Sequence, residues 1–313
     1  MESPSEVVPS VCSRRELLAT AGTVAGVGVA GCLSAGGDAV HVLSAGSLAT
    51  TFEDHVGPAF ESETATDLRG EYFGTNALVR MVEERTTVPD VIVSADATLL
   101  RERLAPEWDI EFATNSLGIS YDPETTVGSA LEEGTEPWYE LLGDVEEGKV
   151  AISDPNLDPL GYRAIQAFEL AEQEHDIEGF RERMLETVYT EPEEPQLMAG
   201  IETGSTATAV VYRNMAVDHD IPFREFPSAY NFADPSLASH YGTVSYTTDD
   251  GYTADGRPIL YNATVHSESS APESGRELVQ FLADRPELLS EAGLTVSEPL
   301  PAAHGSTPEG ITV

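Results

Sequence analysis

Three segments of this chain set a hydroxyl or carboxyl side chain just past a predicted buried strand, at the mouth of a predicted helix. Ser47 follows the strand residues Val40, Val42 and Leu43 through the small-residue turn Ala45-Gly46, and Ala49 to Glu61 then carries Phe52, Val56, Ala59 and Phe60 on one face. Thr75 follows a strand over Asp67–Phe73 and the turn residue Gly74, ahead of Leu78, Val79, Met81 and Val82. Asp158 lies in Asp154-Pro155-Asn156-Leu157-Asp158-Pro159-Leu160-Gly161-Tyr162-Arg163, between a strand over Lys149–Ser153 and a helix over Ala164–Glu172. A helix start leaves backbone N–H groups without intrahelical partners, so such a corner can solvate an anion without a basic side chain. Serine and threonine add an O–H donor beside the N–H. Singly, each residue reads as an ordinary helix cap. Together, on alternating β and α segments whose strand ends face one way, they suit a tetrahedral oxyanion.

Placing such corners on one rim requires parallel strands joined by helices. The chain supplies them: Val88–Asp96 reads as a continuous apolar strand, Thr98–Leu104 as a short helix and Ser116–Tyr121 as a strand, with Glu111–Asn115 as a crossover. Trp138–Leu142, Phe180–Tyr189 and Leu197–Ile201 read as helical, Glu191–Pro195 as a loop, and Ala207–Tyr212 as another buried strand. Arg213–His219 and Phe223–Phe226 follow. Gly242–Gly256 reads as a hairpin, Pro258–Val265 as a strand returning to the first unit, and Ser274–Asp284 with Pro286–Ala292 as terminal helices. The expectation is an α/β protein of two lobes, 39–114 with 258–313 and 115–257, with a cleft between them.

The chain has 313 residues, 55 acidic against 16 basic, for a formal net charge of −39, and Lys149 is its one lysine. No basic stripe exists, so nucleic-acid binding is excluded. Such self-repulsion disfavours a compact state in dilute buffer and is screened in molar salt, which points to a hypersaline setting. Residues 1–31 read as a cleaved signal: Arg14-Arg15, a Gly/Ala/Val run over Ala19–Ala30, and Val29-Ala30-Gly31-Cys32. Cys32 is the expected lipidation site and 32–38 a short tether. Cys12 would leave with the signal, so no disulfide framework is expected.

Val42-Leu43-Ser44-Ala45-Gly46-Ser47-Leu48, Gly74-Thr75-Asn76-Ala77, Asp90–Asp96 and the Ser153–Arg163 run resemble the archaeal tungstate/molybdate-binding proteins of ABC transporters, as do Glu194, Glu202-Thr203-Gly204, Val211-Tyr212-Arg213 and Arg257–Tyr261. The resemblance implies a periplasmic-binding-protein-like type II fold that closes on one oxyanion and delivers it to a membrane permease and its ATPase subunit. With the lipid anchor expected from Cys32, the reading is a monomer held on the outer face of the membrane that catalyses no reaction and needs no cofactor besides its cargo. The implied ligand contacts are Gly46, Ser47, Thr75, Asp158, Pro159, Leu160, Glu194 and Tyr212, with Asp158 and Glu194 bonding the Mo or W atom itself. A carboxylate beside a dianion is repulsive unless its oxygen bonds the central atom. Molybdenum and tungsten can expand their coordination shell and sulfur in sulfate cannot, so the two acids would act against sulfate. Thr75 stands where that family usually has serine, and Pro195 removes an N–H beside Glu194.

Two other readings stay open: a receptor for sulfate or phosphate, and a secreted, lipid-anchored hydrolase. Against the hydrolase, no Gly-x-Ser-x-Gly elbow occurs, and His41, His55 and His266 lack zinc-ligand spacing. A ferric site would favour paired tyrosines, and no Tyr-Tyr pair occurs. The sequon Asn262-Ala263-Thr264 falls inside a predicted strand.

Overall fold

Val40, Val42 and Leu43 form the buried middle of strand β1 (Ala39–Ala45) in the computed structural model, which describes residues 39–143, 145–146 and 148–313. Strands β2 (Asp67–Phe73), β3 (Val91–Ser94) and β4 (Trp108–Ala113) follow. The chain then passes into β5 (Leu117–Tyr121), β6 (Val150–Ser153), β7 (Tyr189–Glu191), β8 (Thr208–Tyr212) and β9 (Phe223–Glu225). A hairpin of β10 (Ser245–Thr247) and β11 (Thr253–Asp255) precedes β12 (Tyr261–Val265) and β13 (Ala302–Gly305). One six-stranded sheet has the order β13-β4-β12-β3-β1-β2, and one five-stranded sheet the order β7-β6-β8-β5-β9. This is the two-lobed α/β fold expected.

In the first sheet β2, β1 and β3 run parallel, so Gly46, Gly74 and Ala95, each just past a strand end, come to one edge. In the second, β7, β6 and β8 run parallel and bring the segments after Ser153, Glu191 and Tyr212 to one edge. The chain crosses between the sheets at 114–116 and again before β12. The two crossings lie side by side, for Thr114 Oγ1 donates to the Ile259 carbonyl at 2.6 Å and Leu117 N to that of Asn231 at 2.9 Å.

Several elements differ from expectation, each for a local reason. Glu111–Ala113 belongs to buried β4 and is no crossover. The charges of Asp109 and Glu111, which read as surface, are met there by Arg101 at 2.7 and 2.8 Å. Strand β3 is shorter than Val88–Asp96 because Pro89 has no N–H to pair and the Asp90 carboxylate accepts N–H groups from His41 and Ala271. Asp96 turns away to cap the helix Ala97–Leu104, accepting from Thr98 and Leu99 N. The first helix carries a π turn over Thr51–Val56 just before Pro58, which cannot continue the ladder of bonds. The helix after Asp158 runs over Pro159–His175, longer than Ala164–Glu172, with Pro159 at its first position. Asn262 is buried, its amide donating to Asp109 at 2.9 Å, so the sequon lies in the interior of a strand.

The twin arginine, Cys32 and the tether lie outside the described residues. Among the described residues no helix is long and apolar enough to cross a membrane.

Candidate functional site

Ser47 sits in a single 3-10 turn, Gly46–Leu48, directly after β1. Its N–H points across to the second sheet and donates to Glu194 Oε2 at 2.9 Å. A Cβ on Gly46 would stand 2.8 Å from that same oxygen and 3.1 Å from Pro195 Cδ, so only glycine lets the two backbones approach this closely. Ser47 Oγ lies 3.2 Å from the Tyr261 hydroxyl, which Asn115 Nδ2 also contacts at 3.2 Å. Asn214 Nδ2 donates to the Ser47 carbonyl at 2.6 Å. The corner is thus fixed by residues of both sheets and of a crossover.

Thr75 opens the helix Thr75–Glu83, and its Oγ1 accepts from Ala95 N at 3.1 Å. The neighbouring Ala77 N donates to the Leu157 carbonyl at 3.1 Å, bringing this corner against the one that carries Asp158. Gly74 is pressed against the Leu157 carbonyl, and a Cβ there would also come within 2.8 Å of Asp158 Cβ. Asn76, next in sequence, is buried with neither amide atom hydrogen-bonded.

Asp158 caps the helix Pro159–His175, its Oδ1 accepting from Leu160 N at 3.1 Å. Its Oδ2 is buried without a hydrogen-bond partner, and so is Oε1 of Glu194. Of the three acids in the Glu191–Glu194 loop, Glu194 is buried, Glu191 half-buried and Glu193 exposed. Asp158 and Glu194 lie within hydrogen-bonding reach of one another although 36 residues separate them in sequence. Burial pushes the Asp158 carboxyl up to about 6, against the pull of the Leu160 N–H. Burial first, and then the charge of Asp158, push Glu194 well above the usual carboxylate range. The Asp158 charge pushes Glu194 up while the hydrogen-bonding reach of Glu194 pulls Asp158 down, so the two buried acids titrate as a pair.

Tyr212 ends β8 and is fully buried. Its hydroxyl accepts from Arg163 at 2.6 Å, and its ring meets that of Tyr261 edge-on at 6.2 Å. Burial pushes its ionisation well above the ordinary phenol range. The Arg163 charge opposes that shift, while the fields of Tyr261, Asp158 and Glu194 add to it. Pro159 and Leu160 are buried at the helix start beneath Asp158.

All eight residues expected at the site therefore lie on the two facing strand-end rims or their adjoining loops. Ser47, Glu194 and Asp158 are linked most directly, and the Thr75 corner meets the group through its neighbours Gly74 and Ala77 at the Leu157 carbonyl. The sequence did not single out Asn76, Arg163, Tyr261, Asn115 or Asn214. Asn76, Arg163 and Tyr261 stood within the quoted runs and Asn115 within the expected crossover, yet nothing local marks a side chain whose partners come from another sheet. Among the described residues no group of three or more His, Cys, Asp or Glu is placed to hold a metal ion. What the rims can do chemically is surround a small anion with N–H and O–H donors while offering two carboxyl oxygens to its centre or its protons.

The sequence family described as bacterial extracellular solute-binding protein matches residues 40–293. An uncharacterized solute-binding protein of Halobacterium salinarum is 49% identical over 302 residues, 96% of this chain and 97% of that protein. A Haloferax volcanii protein with the provisional name of ABC transporter molybdenum-binding protein is 36% identical over 301 residues, covering 95% and 96%. Among solved structures, the periplasmic molybdate-binding protein of Azotobacter vinelandii superposes with a TM-score of 0.62 over 83% of this chain and 100% of its own, at 14% identity, a likeness of fold.

Proposed function

The chain belongs to the bacterial extracellular solute-binding protein family, and from that premise we propose that it captures molybdate or tungstate and delivers it to the permease of an ABC importer. The observation that carries the reading is the buried pair Asp158–Glu194, with a donor-free oxygen on each side chain beside the Ser47 N–H. Donor-free carboxylates in the interior are destabilising unless something compensates their charge. A hexavalent metal centre able to take two more oxygens does so, and the surrounding donors, Ser47 N–H and the hydroxyls of Ser47 and Tyr212, suit its oxo groups. The name of the Haloferax volcanii relative supports the same cargo. On this reading the protein is lipid-anchored through Cys32, exported by its twin-arginine signal, and active as a monomer in high salt.

Lobe closure follows from contacts that need both rims at once. Ser47 to Glu194 and Ala77 to Leu157 each join the two sheets' corners, and an anion bonded by both rims stabilises the closed state by the contacts it adds.

A second reading has its own observation. A donor-free buried carboxylate oxygen also accepts a hydrogen from a protonated oxyanion such as hydrogen phosphate, which sulfate at neutral pH cannot offer. Calorimetric titration of the protein in molar KCl with molybdate, tungstate, phosphate and sulfate separates the cases. Heat with molybdate and tungstate, and none with sulfate or phosphate, is the expected result. Heat with phosphate alone moves the protein to the second reading, and tight sulfate binding removes the role given to the two acids.

A further inference from the structure

Arg163 is among the largest fully buried side chains of the protein, and it stands in the second turn of the helix that Asp158 caps. A buried guanidinium carries five N–H donors and has to place them. Here they reach two directions. Toward the first sheet, one nitrogen donates to the Ala95 carbonyl at 2.9 Å and another to Asp96 Oδ2 at 3.2 Å. Within the second sheet, the nitrogen bound to Ala95 also donates to the Tyr212 hydroxyl at 2.6 Å. Tyr162, the preceding residue, sends its own hydroxyl to Asp96 Oδ2 at 2.6 Å.

The direction of the Tyr212 bond decides what that hydroxyl can do. Arginine has no lone pair to offer, so Tyr212 is the acceptor, and its own hydrogen must point elsewhere. Among the described residues no recorded hydrogen bond takes that hydrogen. Besides Arg163 and the Tyr261 ring packed edge-on, the groups whose fields reach the phenol are Asp158 and Glu194. We propose that Arg163 is the positioning residue of the binding site: by crossing to Ala95 and Asp96 when the rims meet, it occupies the acceptor side of Tyr212 and turns the Tyr212 O–H toward the bound oxyanion.

This rests on the oxyanion reading above. It adds that the hydroxyl is a donor only when the lobes are closed, because the guanidinium is held in place by two groups of the opposite sheet. The arrangement also sets one positive charge near a site that would otherwise collect two carboxylates and a dianion.

The test is a double-mutant cycle on the full chain in molar KCl, reading molybdate affinity by calorimetry for the unmodified protein, Arg163→Lys, Tyr212→Phe and the double variant. Arg163→Lys keeps the charge and loses the planar fork, so it cannot both bridge to Asp96 and fix the phenol. Each single variant is expected to lose about tenfold or more in affinity, the scale of one hydrogen bond to a charged group, and the double variant to lose no more than the worse single. Losses that multiply in the double variant would show that Arg163 acts without Tyr212 and overturn the proposal, as would an Arg163→Lys protein of unchanged affinity. Asp96→Asn leaves Arg163 and Tyr212 intact while weakening the crossing bond. It is expected to weaken molybdate with a cooperative melt retained, and an unchanged affinity there also counts against the proposal. If the unmodified protein binds phosphate and not molybdate, the same cycle is read with phosphate. If it binds neither, the oxyanion reading fails and takes this one with it.

Discussion

A buried carboxyl group that keeps an oxygen free of donors destabilises a fold, and Asp158 and Glu194 place two of them together. The consequence is a pH dependence of unusual sign. With the Asp158 carboxyl at about 6 in the folded chain against an ordinary 3.8, the folded state binds the extra proton. Its contribution to stability is therefore present at low pH and is lost as pH rises through about 6. In molar KCl the ligand-free protein is expected to melt at lower temperature as pH is raised from about 5 to about 8. Asp158→Asn keeps an N-cap and removes the charge, so it should make that slope shallower and raise the melting temperature at the alkaline end, by about 3 kcal/mol in stability. What remains of the slope includes the share of Asp218, whose carboxyl burial also pushes up to about 6. The same variant should lose molybdate binding. A melting temperature that climbs with pH in both proteins would contradict the buried pair. Ser47, Thr75 and Asp158 were legible in the sequence because strand, turn and helix start are local patterns. Glu194 was legible only through resemblance, since three acids crowd one loop and burial alone separates them. Arg163, Tyr261 and Asn76 were not legible, because their partners lie on another sheet or across a crossover.

At the scale of elements, Asp158 has two jobs that one substitution would confuse. It caps a 17-residue helix and it faces Glu194. Relative to the uncharged, capped Asp158→Asn, Asp158→Ala should be less stable by about 1 kcal/mol for the lost cap, with binding abolished as well. Asp158→Ser should restore the cap and leave binding abolished, so melts and titrations of the two variants apportion the roles. Binding retained in the serine variant would mean that the acid serves only the helix. The glycine corners test closure separately from folding. Gly46 does not have a positive φ, so alanine is compatible with its backbone, yet its Cβ would press on Glu194 and Pro195 across the cleft. Gly46→Ala is expected to melt within about 1 kcal/mol of the unmodified protein while binding molybdate at least about tenfold more weakly. Equal affinity would show that the two backbones can part at no cost to the site. Most helices and strands followed from hydrophobic pattern. Strand β4 did not, because its acids alternate with apolar residues as on a solvated face, and their burial is explained by partners from elsewhere: Arg101 from a neighbouring helix for both, Asn262 of β12 for Asp109 and His304 of β13 for Glu111.

For the whole molecule, the net charge of −39 sets how an anion arrives, and the buried donors set how it stays. A strongly negative protein repels a dianion over roughly 10 Å in dilute salt and over only about 3 Å in molar salt. Steered association between opposite charges slows as salt is added; here the signs are alike, so the dependence should invert. The contacts inside the closed cleft are screened far less, because they are buried. Raising KCl from about 0.1 M to molar should therefore speed molybdate association several-fold and leave the dissociation rate nearly constant. Stopped-flow measurement of the intrinsic fluorescence of Trp108 and Trp138 follows both rates. Trp138 packs among Tyr139, Phe168, Phe180, Phe226 and Tyr230 in the second lobe, where a change in packing would be sensed. An association rate that falls with salt would mean that a local positive field guides the anion despite the acidic surface. With Arg163 fully buried and Lys149 donating to the Ser205 carbonyl, the described residues offer no cationic stripe to supply one. Salt would then act on this protein twice in the same direction, stabilising the compact chain and opening the approach to its cleft.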